Sequence, residues 1–143
     1  MHTLQQILNQ KDTDEIWSVV PTSTVFEAIQ EMADKRAGAL LVMDGDRLEG
    51  IISERDYARE VILKGRSSKK TLVGEIMSKE VVTAAPTSSV QSSLELMTQH
   101  RIRHLPVVND TEVVGVISIG DLVKDVIAIQ QTTIEQLENY IRM

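Results

Sequence analysis

The chain repeats itself: Gly50-Ile51-Ile52-Ser53-Glu54-Arg55-Asp56 returns 65 residues later as Gly115-Val116-Ile117-Ser118-Ile119-Gly120-Asp121. The same offset carries Pro21 to Pro86, Val25 to Val90, Met32 to Met97, Val42 to Val107, Leu48 to Val113 and Ile62 to Ile127. One register therefore runs from about residue 16 to residue 127 without insertion. An uninterrupted duplication constrains the fold more than any single motif, because both halves must adopt the same small unit. A unit of roughly 60 residues is marginal alone, so the sequence predicts a pseudo-twofold pair that buries apolar faces mutually.

Hydrophobic spacing gives the plan of that unit. Ile16 to Val20 reads as a short strand, and Val25 to about Arg36 as a helix with Val25, Ala28, Ile29 and Met32 on its buried stripe. Ala39 to Met43 and Leu48 to Ile52 read as strands around an Asp44-Gly45-Asp46 turn, followed by a helix from Ser53 to about Lys64. The second half repeats the order: strand Val81 to Ala84, helix Ser89 to about His100, strands His104 to Val108 and Val113 to Ser118, helix to about Gln130. Met32, Met43, Met77 and Met97 fall at packing positions.

Two segments lie outside the repeat. Thr3 and Gln6 form a capping-box spacing over an amphipathic helix with Leu4, Ile7 and Leu8. Thr133 and Gln136 form another, predicting a separate terminal helix with Ile134, Leu137 and Ile141 on one side. The expected organisation is an extension over 1–15, repeats over 16–64 and 81–130, a linker over 65–80 and a terminal helix over 131–143. Lys64, Arg66, Lys69 and Lys70 give that linker a basic character, which reads as a solvated joint, or else as a contact for an anionic partner.

Composition excludes several classes. A net charge of -6, a pI near 5.0 and 3% aromatic residues argue against a nucleic-acid or anionic-membrane surface. No apolar run approaches the roughly 18 to 20 residues of a membrane span, and no signal-peptide core follows Met1. With no cysteine there is no disulfide or thiolate-metal chemistry, which fits a cytoplasmic location.

The chemistry-bearing pattern is Ser-x-x-Asp at the start of each half's last helix. A helix start offers unpaired N–H groups and partial positive charge, hence two candidate anion sites. The same spacing is also a plain capping box, in which Asp56 and Asp121 would bond their own N-cap residues and bind nothing. Asp56, Asp121 and His104 are the best acid or base groups for an enzyme, but no nucleophile, phosphate-cradling glycine loop or metal-ligand spacing accompanies them. No enzymatic activity and no metal site are expected. His104 reads either as a residue bonded into the interface between halves or as a phosphate contact whose charge follows pH.

The doubled strand-helix-strand-strand-helix order, the Val81-to-Pro86 entry, the His104-Leu105-Pro106-Val107-Val108 strand and the twin Gly-x-x-Ser-x-x-Asp endings resemble a tandem pair of cystathionine-β-synthase-type (CBS) domains. The resemblance implies an α/β (α+β) fold of two β-α-β-β-α repeats with short extra terminal helices. It implies two clefts between the repeats, binding AMP foremost, or else ADP, ATP, NAD or S-adenosylmethionine. Carried over, Asp56 and Asp121 would hold ribose hydroxyls, with Ser53 and Ser118 beside ribose or phosphate. Adenine would lie against the backbone of Ile16, Trp17, Ala37, Gly38 and Ile51 in one cleft, and of Val81, Val82, Ile102, Arg103 and Val116 in the other. Arg55, Arg103 and His104, with Arg36 and Arg101, would meet phosphate. These basic residues are unevenly shared between the halves, so the clefts are expected to be unequal, with the Asp121 cleft the tighter. The implied function is a stand-alone regulatory sensor, homodimeric, acting on an unidentified protein partner. The competing reading is a structural dimerisation module whose clefts stay empty.

Overall fold

The computed structural model describes residues 2–11 and 16–142, so the expected extension boundary at residue 15 lies outside the described residues. The chain divides into two compact units, one of residues 15–82 with 110–113 and one of residues 1–14, 83–109 and 114–143.

In the unit that holds the first repeat, the short strand β1 (Ser18–Val19) runs parallel to β2 (Ala39–Asp44), and β2 pairs antiparallel with β3 (Arg47–Ser53). The hairpin turns through Gly45 and Asp46, with Gly45 at φ 61°. Between β1 and β2 runs α2 (Val25–Lys35), capped by the Thr24 hydroxyl, which accepts the Glu27 N–H. Arg36 ends it in the left-handed region at φ 55°, and the Ala37 N–H reaches back to the Met32 carbonyl at 2.9 Å. Val25, Ala28 and Met32 from α2 meet Leu40, Val42 and Ile52 from the sheet in one buried cluster. The helix after β3 starts as a single α turn, α3 (Glu54–Tyr57), and continues as a π-helical turn over Ala58–Ile62. The bond from the Leu63 N–H to the Ala58 carbonyl marks that widening, which the expected regular helix to Lys64 lacks.

The segment expected to be linker folds onto this unit. α4 (Val73–Ile76) sends Val73 and Ile76 into the same cluster. Its backbone is tied to the repeat by bonds from Val25 to Thr71, from Val73 to Ser23 and from Gly74 to Pro21. Among the basic residues, Lys64 pairs with Glu60, Arg66 with Glu75, and Lys69 lies over the Phe26 ring.

The other unit repeats the design with a different source for its completing helix. α5 (Val90–His100), the hairpin β4 (His104–Asn109) and β5 (Glu112–Ser118), and α6 (Ile119–Arg142) follow the predicted order. The expected strand from Val81 to Ala84 contracts to one bridge, Ala84 with Val107. Val90, Met97, Leu105, Val107 and Ile117 are buried as their first-repeat counterparts are. Here α1 (Leu4–Gln10) does what α4 does for the first repeat. Val90 bonds to the His2 carbonyl, Leu4 to Ser88 and Gln5 to Pro86, while Leu4 and Ile7 are buried. The sequence places α1 outside the duplication; the fold makes it the counterpart of α4, at a second offset that a search for a single register misses.

The largest departure is at the C-terminus. α6 is one uninterrupted helix of 24 residues, with no break before Thr133. The Thr132 and Thr133 hydroxyls donate to the carbonyls of Ala128 and Ile129 at 3.1 and 3.0 Å. Bonded back into the preceding turn, Thr133 satisfies its hydroxyl inside the helix and caps nothing.

Candidate functional site

Each repeat ends its hairpin on a serine that caps the next helix. In the first, Ser53 donates its N–H and its hydroxyl to Asp56 Oδ2 at 2.9 and 3.0 Å, while the Asp56 N–H donates to Ser53 Oγ at 3.1 Å. In the second, the Ser118 N–H donates to Asp121 Oδ2 at 2.9 Å and the Asp121 N–H to Ser118 Oγ at 3.1 Å. The capping box is therefore formed twice. It uses Oδ2 in both cases, and Oδ1 of each half-buried carboxylate takes no hydrogen bond from the described residues. That oxygen is what each site has left to offer a donor.

The strand that enters each hairpin is locked to the same helix start. The Glu54 N–H bonds to the Gly38 carbonyl at 3.0 Å, and the Ile119 N–H to the Arg103 carbonyl at 2.9 Å. Gly38 and Arg103 thus hold Ser53 and Ser118 in place through backbone alone. Ile16 and Trp17, half-buried, precede β1; Ala37 and Gly38, half-buried, follow α2, and Lys35 Nζ lies 5.9 Å from the centroid of the Trp17 ring. Both backbone polar groups of Ile51 are occupied, because its N–H and C=O pair with Ser78 at 3.1 and 2.9 Å. A contact of Ile51 with a base would have to come from its side chain, not from the backbone edge expected.

Val116 differs from Ile51. Its carbonyl receives Lys11 Nζ at 2.9 Å, and the same ammonium donates to Asp121 Oδ2 at 3.1 Å. Burial pushes the Asp121 carboxyl up, but the Ser118 N–H and the Lys11 ammonium outweigh it and hold the group below its ordinary value. Sequence reasoning missed Lys11, since a lysine just past a short N-terminal helix carries no sign that it reaches residue 121. Lys11 and Asp121 line a cavity of about 360 Å³ between α1 and α6, together with Ile7, Gln10, Lys124 and Asp125. Asp125, 4% exposed in its side chain, bonds His2 Nδ1 through Oδ1 at 2.6 Å, and its Oδ2 has no partner among the described residues.

Of the remaining expected residues, Arg55 and Arg103 are exposed, and His104 is half-buried at the start of β4. Ile102 is half-buried after Arg101, whose φ of 54° repeats the left-handed cap of Arg36. Val81 and Val82 are half-buried but belong to the unit of the first repeat, whereas Ile102, Arg103 and Val116 belong to the other. Among the described residues no group of three metal-ligating side chains occurs, and no helix is long and apolar enough to cross a membrane.

Two tandem units of helix, hairpin and helix, entered by a short strand in one and a single bridge in the other and each closing on a capped aspartate, define a class of duplicated small α/β domains. The chain belongs to the CBS-domain family, whose pattern matches residues 11–63 and 73–128. It is 41% identical over 138 residues to the CBS domain-containing protein CBSX3, mitochondrial, of Arabidopsis thaliana, covering 92% of this chain and 67% of that one. A solved CBS-domain protein from Burkholderia ambifaria MC40-6 superposes with a TM-score of 0.86 at 50% identity, over 89% of this chain and 95% of its own. The CBS domain protein PAE2072 of Pyrobaculum aerophilum, solved in complex with AMP, superposes with a TM-score of 0.75 at 28% identity, over 84% and 89%. CBS pairs of this kind are regulatory modules.

Proposed function

We propose that the protein senses an adenine nucleotide, AMP before ADP, ATP, NAD or S-adenosylmethionine, and passes its occupancy to a protein partner through its own assembly as a homodimer. The observation that carries this reading is the duplicated carboxylate. Asp56 and Asp121 each spend one oxygen on a cap and keep the other for a donor such as a ribose hydroxyl, in a family with a member solved bound to AMP. Ser53 and Ser118 then act by holding the carboxylates, and Arg55, Arg103 and His104 supply positive charge to phosphate. No catalysis is proposed. A cytoplasmic location is part of the proposal and rests on a chain free of cysteine.

Lys11 reverses the expected ranking of the two sites. An ammonium bridging Val116 O and Asp121 Oδ2 takes the carbonyl that a nucleotide's amino group would use and, by offsetting the carboxylate's charge, weakens the remaining Oδ1 as an acceptor for a ribose hydroxyl. Asp56, with no such cation among the described residues, fills first. Occupancy switches the molecule only if the ligand prefers one of two states.

The same caps favour a second reading, a ligand-free dimerisation module in which both aspartates serve helix starts alone. A thermal-shift panel of the five ligands on wild type, Asp56→Ala and Asp121→Ala separates the two. A ligand at a hundredfold excess over its Kd adds about 2.7 kcal/mol of stability. Asp56→Ala is expected to lose most of the shift, Asp121→Ala less, and both to melt lower without ligand by about 0.5–2 kcal/mol for the lost cap. No shift with any ligand would leave the dimerisation module.

A further inference from the structure

The family pattern ends at residue 128, yet α6 runs on to Arg142, and every described residue from Gln130 onward is exposed. This overhang is not polar all round. Val123, Ile127, Gln130, Ile134, Leu137 and Ile141 follow one another at alternating steps of four and three, and the five apolar ones are all exposed, Leu137 by 58% and Ile141 by 80%. That spacing is a coiled-coil seam, with Ile127, Ile134 and Ile141 at a and Val123, Gln130 and Leu137 at d. The opposite side of the helix's first half is already used, since Leu122 and Asp125 are buried where α1 and α5 pack. The seam itself has no partner among the described residues.

We propose that this seam is covered by α6 of a second copy, running antiparallel about an axis near Gln131 and Thr132. The proposal deepens the homodimer reading above by naming its surface. Two features select the occupant and its direction. The seam continues past the free overhang onto the body end of the helix, where Val123 and Ile127 are exposed. Antiparallel pairing lays each overhang along that end, setting Ile141 and Leu137 of one copy against Val123 and Ile127 of the other. The flanking charges also complement themselves in this direction. Lys124 and Glu138, both exposed, stand equally far from Gln131 on the same edge of the seam, so each lysine meets the glutamate of the other copy. A parallel pair would set Glu138 beside Thr133 and Lys124 beside Ile119, and match no charges.

Sedimentation equilibrium of the full chain tests the surface. Wild type is expected to be a dimer and Ile134→Glu to associate at least tenfold more weakly, with unchanged helical circular dichroism. Lys124→Glu and Glu138→Lys should each weaken the dimer, and the double reversal should restore it. A monomeric wild type would overturn both this surface and the homodimer reading, whereas an undiminished Ile134→Glu dimer would overturn the surface and leave that reading standing. The chain has no cysteine of its own, so Leu137→Cys reports direction. Residue 137 lies about five residues from the axis, which keeps its two copies roughly 15 Å apart along antiparallel helices, and ready disulfide formation between them would overturn the antiparallel arrangement.

Discussion

Asp121 carries opposing influences on one carboxyl. Burial disfavours its charge, while the Ser118 N–H and Lys11 favour it and prevail. A folded pKa below the unfolded value of about 3.9 adds stability at pH above that value, and the gain is lost as pH falls through the folded value. Lys11→Met should therefore lower stability most near neutral pH, and the gap from wild type should close as the pH of a denaturant titration is taken below about 4. Turn residues allow a cleaner backbone test. Gly45 and Asp110 hold equivalent hairpin positions with φ of 61° and 57°. Nothing lies within 4 Å of the Cβ that Gly45→Ala would add, so that change should cost about 1 kcal/mol from left-handed backbone alone. Asp110→Gly should shift the urea midpoint the other way by a smaller amount, because aspartate tolerates this conformation.

At the scale of elements, α1 and α4 perform one task from two places in the chain. Each sets an apolar pair, Leu4 and Ile7 or Val73 and Ile76, into a repeat, and each follows a residue whose carbonyl takes the first N–H of α5 or α2. A glycine on the neighbouring strand lets each helix approach. A Cβ on Gly50 would meet the Ser78 carbonyl oxygen at 2.7 Å and Met77 Sδ at 2.8 Å, whereas one on Gly115 would meet the end of the Leu8 side chain at 2.5 Å. Backbone cannot yield as a leucine tip can. Gly50→Ala should therefore destabilise by about 1–3 kcal/mol, and Gly115→Ala by clearly less, as read from chemical denaturation midpoints.

For the molecule as a whole, a net charge of -6 disfavours indiscriminate association, so self-association needs a specific apolar surface. Dimerisation couples folding to concentration. The Tm of wild type should rise steadily with protein concentration, and a Tm independent of concentration over two decades would contradict the homodimer reading. Nucleotide should raise Tm further at any fixed concentration.

What the sequence determined is what neighbours in the chain decide among themselves. The hairpins around Gly45 and Asp110, the caps at Thr24 and Ser89 and each Ser-x-x-Asp box arise within a few residues, where hydrophobic period and capping chemistry dominate, and the repeat shows as one constant offset between them. The family followed from the same local patterns, doubled. Tertiary structure decided the rest. Lys11 reaches Asp121, and His2 reaches Asp125, across more than a hundred residues, for which no spacing rule exists. The basic linker became part of a core because Val73 and Ile76 had a hydrophobic face to fill. The break expected before Thr133 vanished because the hydroxyl found its acceptor one turn back along the helix, a choice that depends on whether the helix is already there.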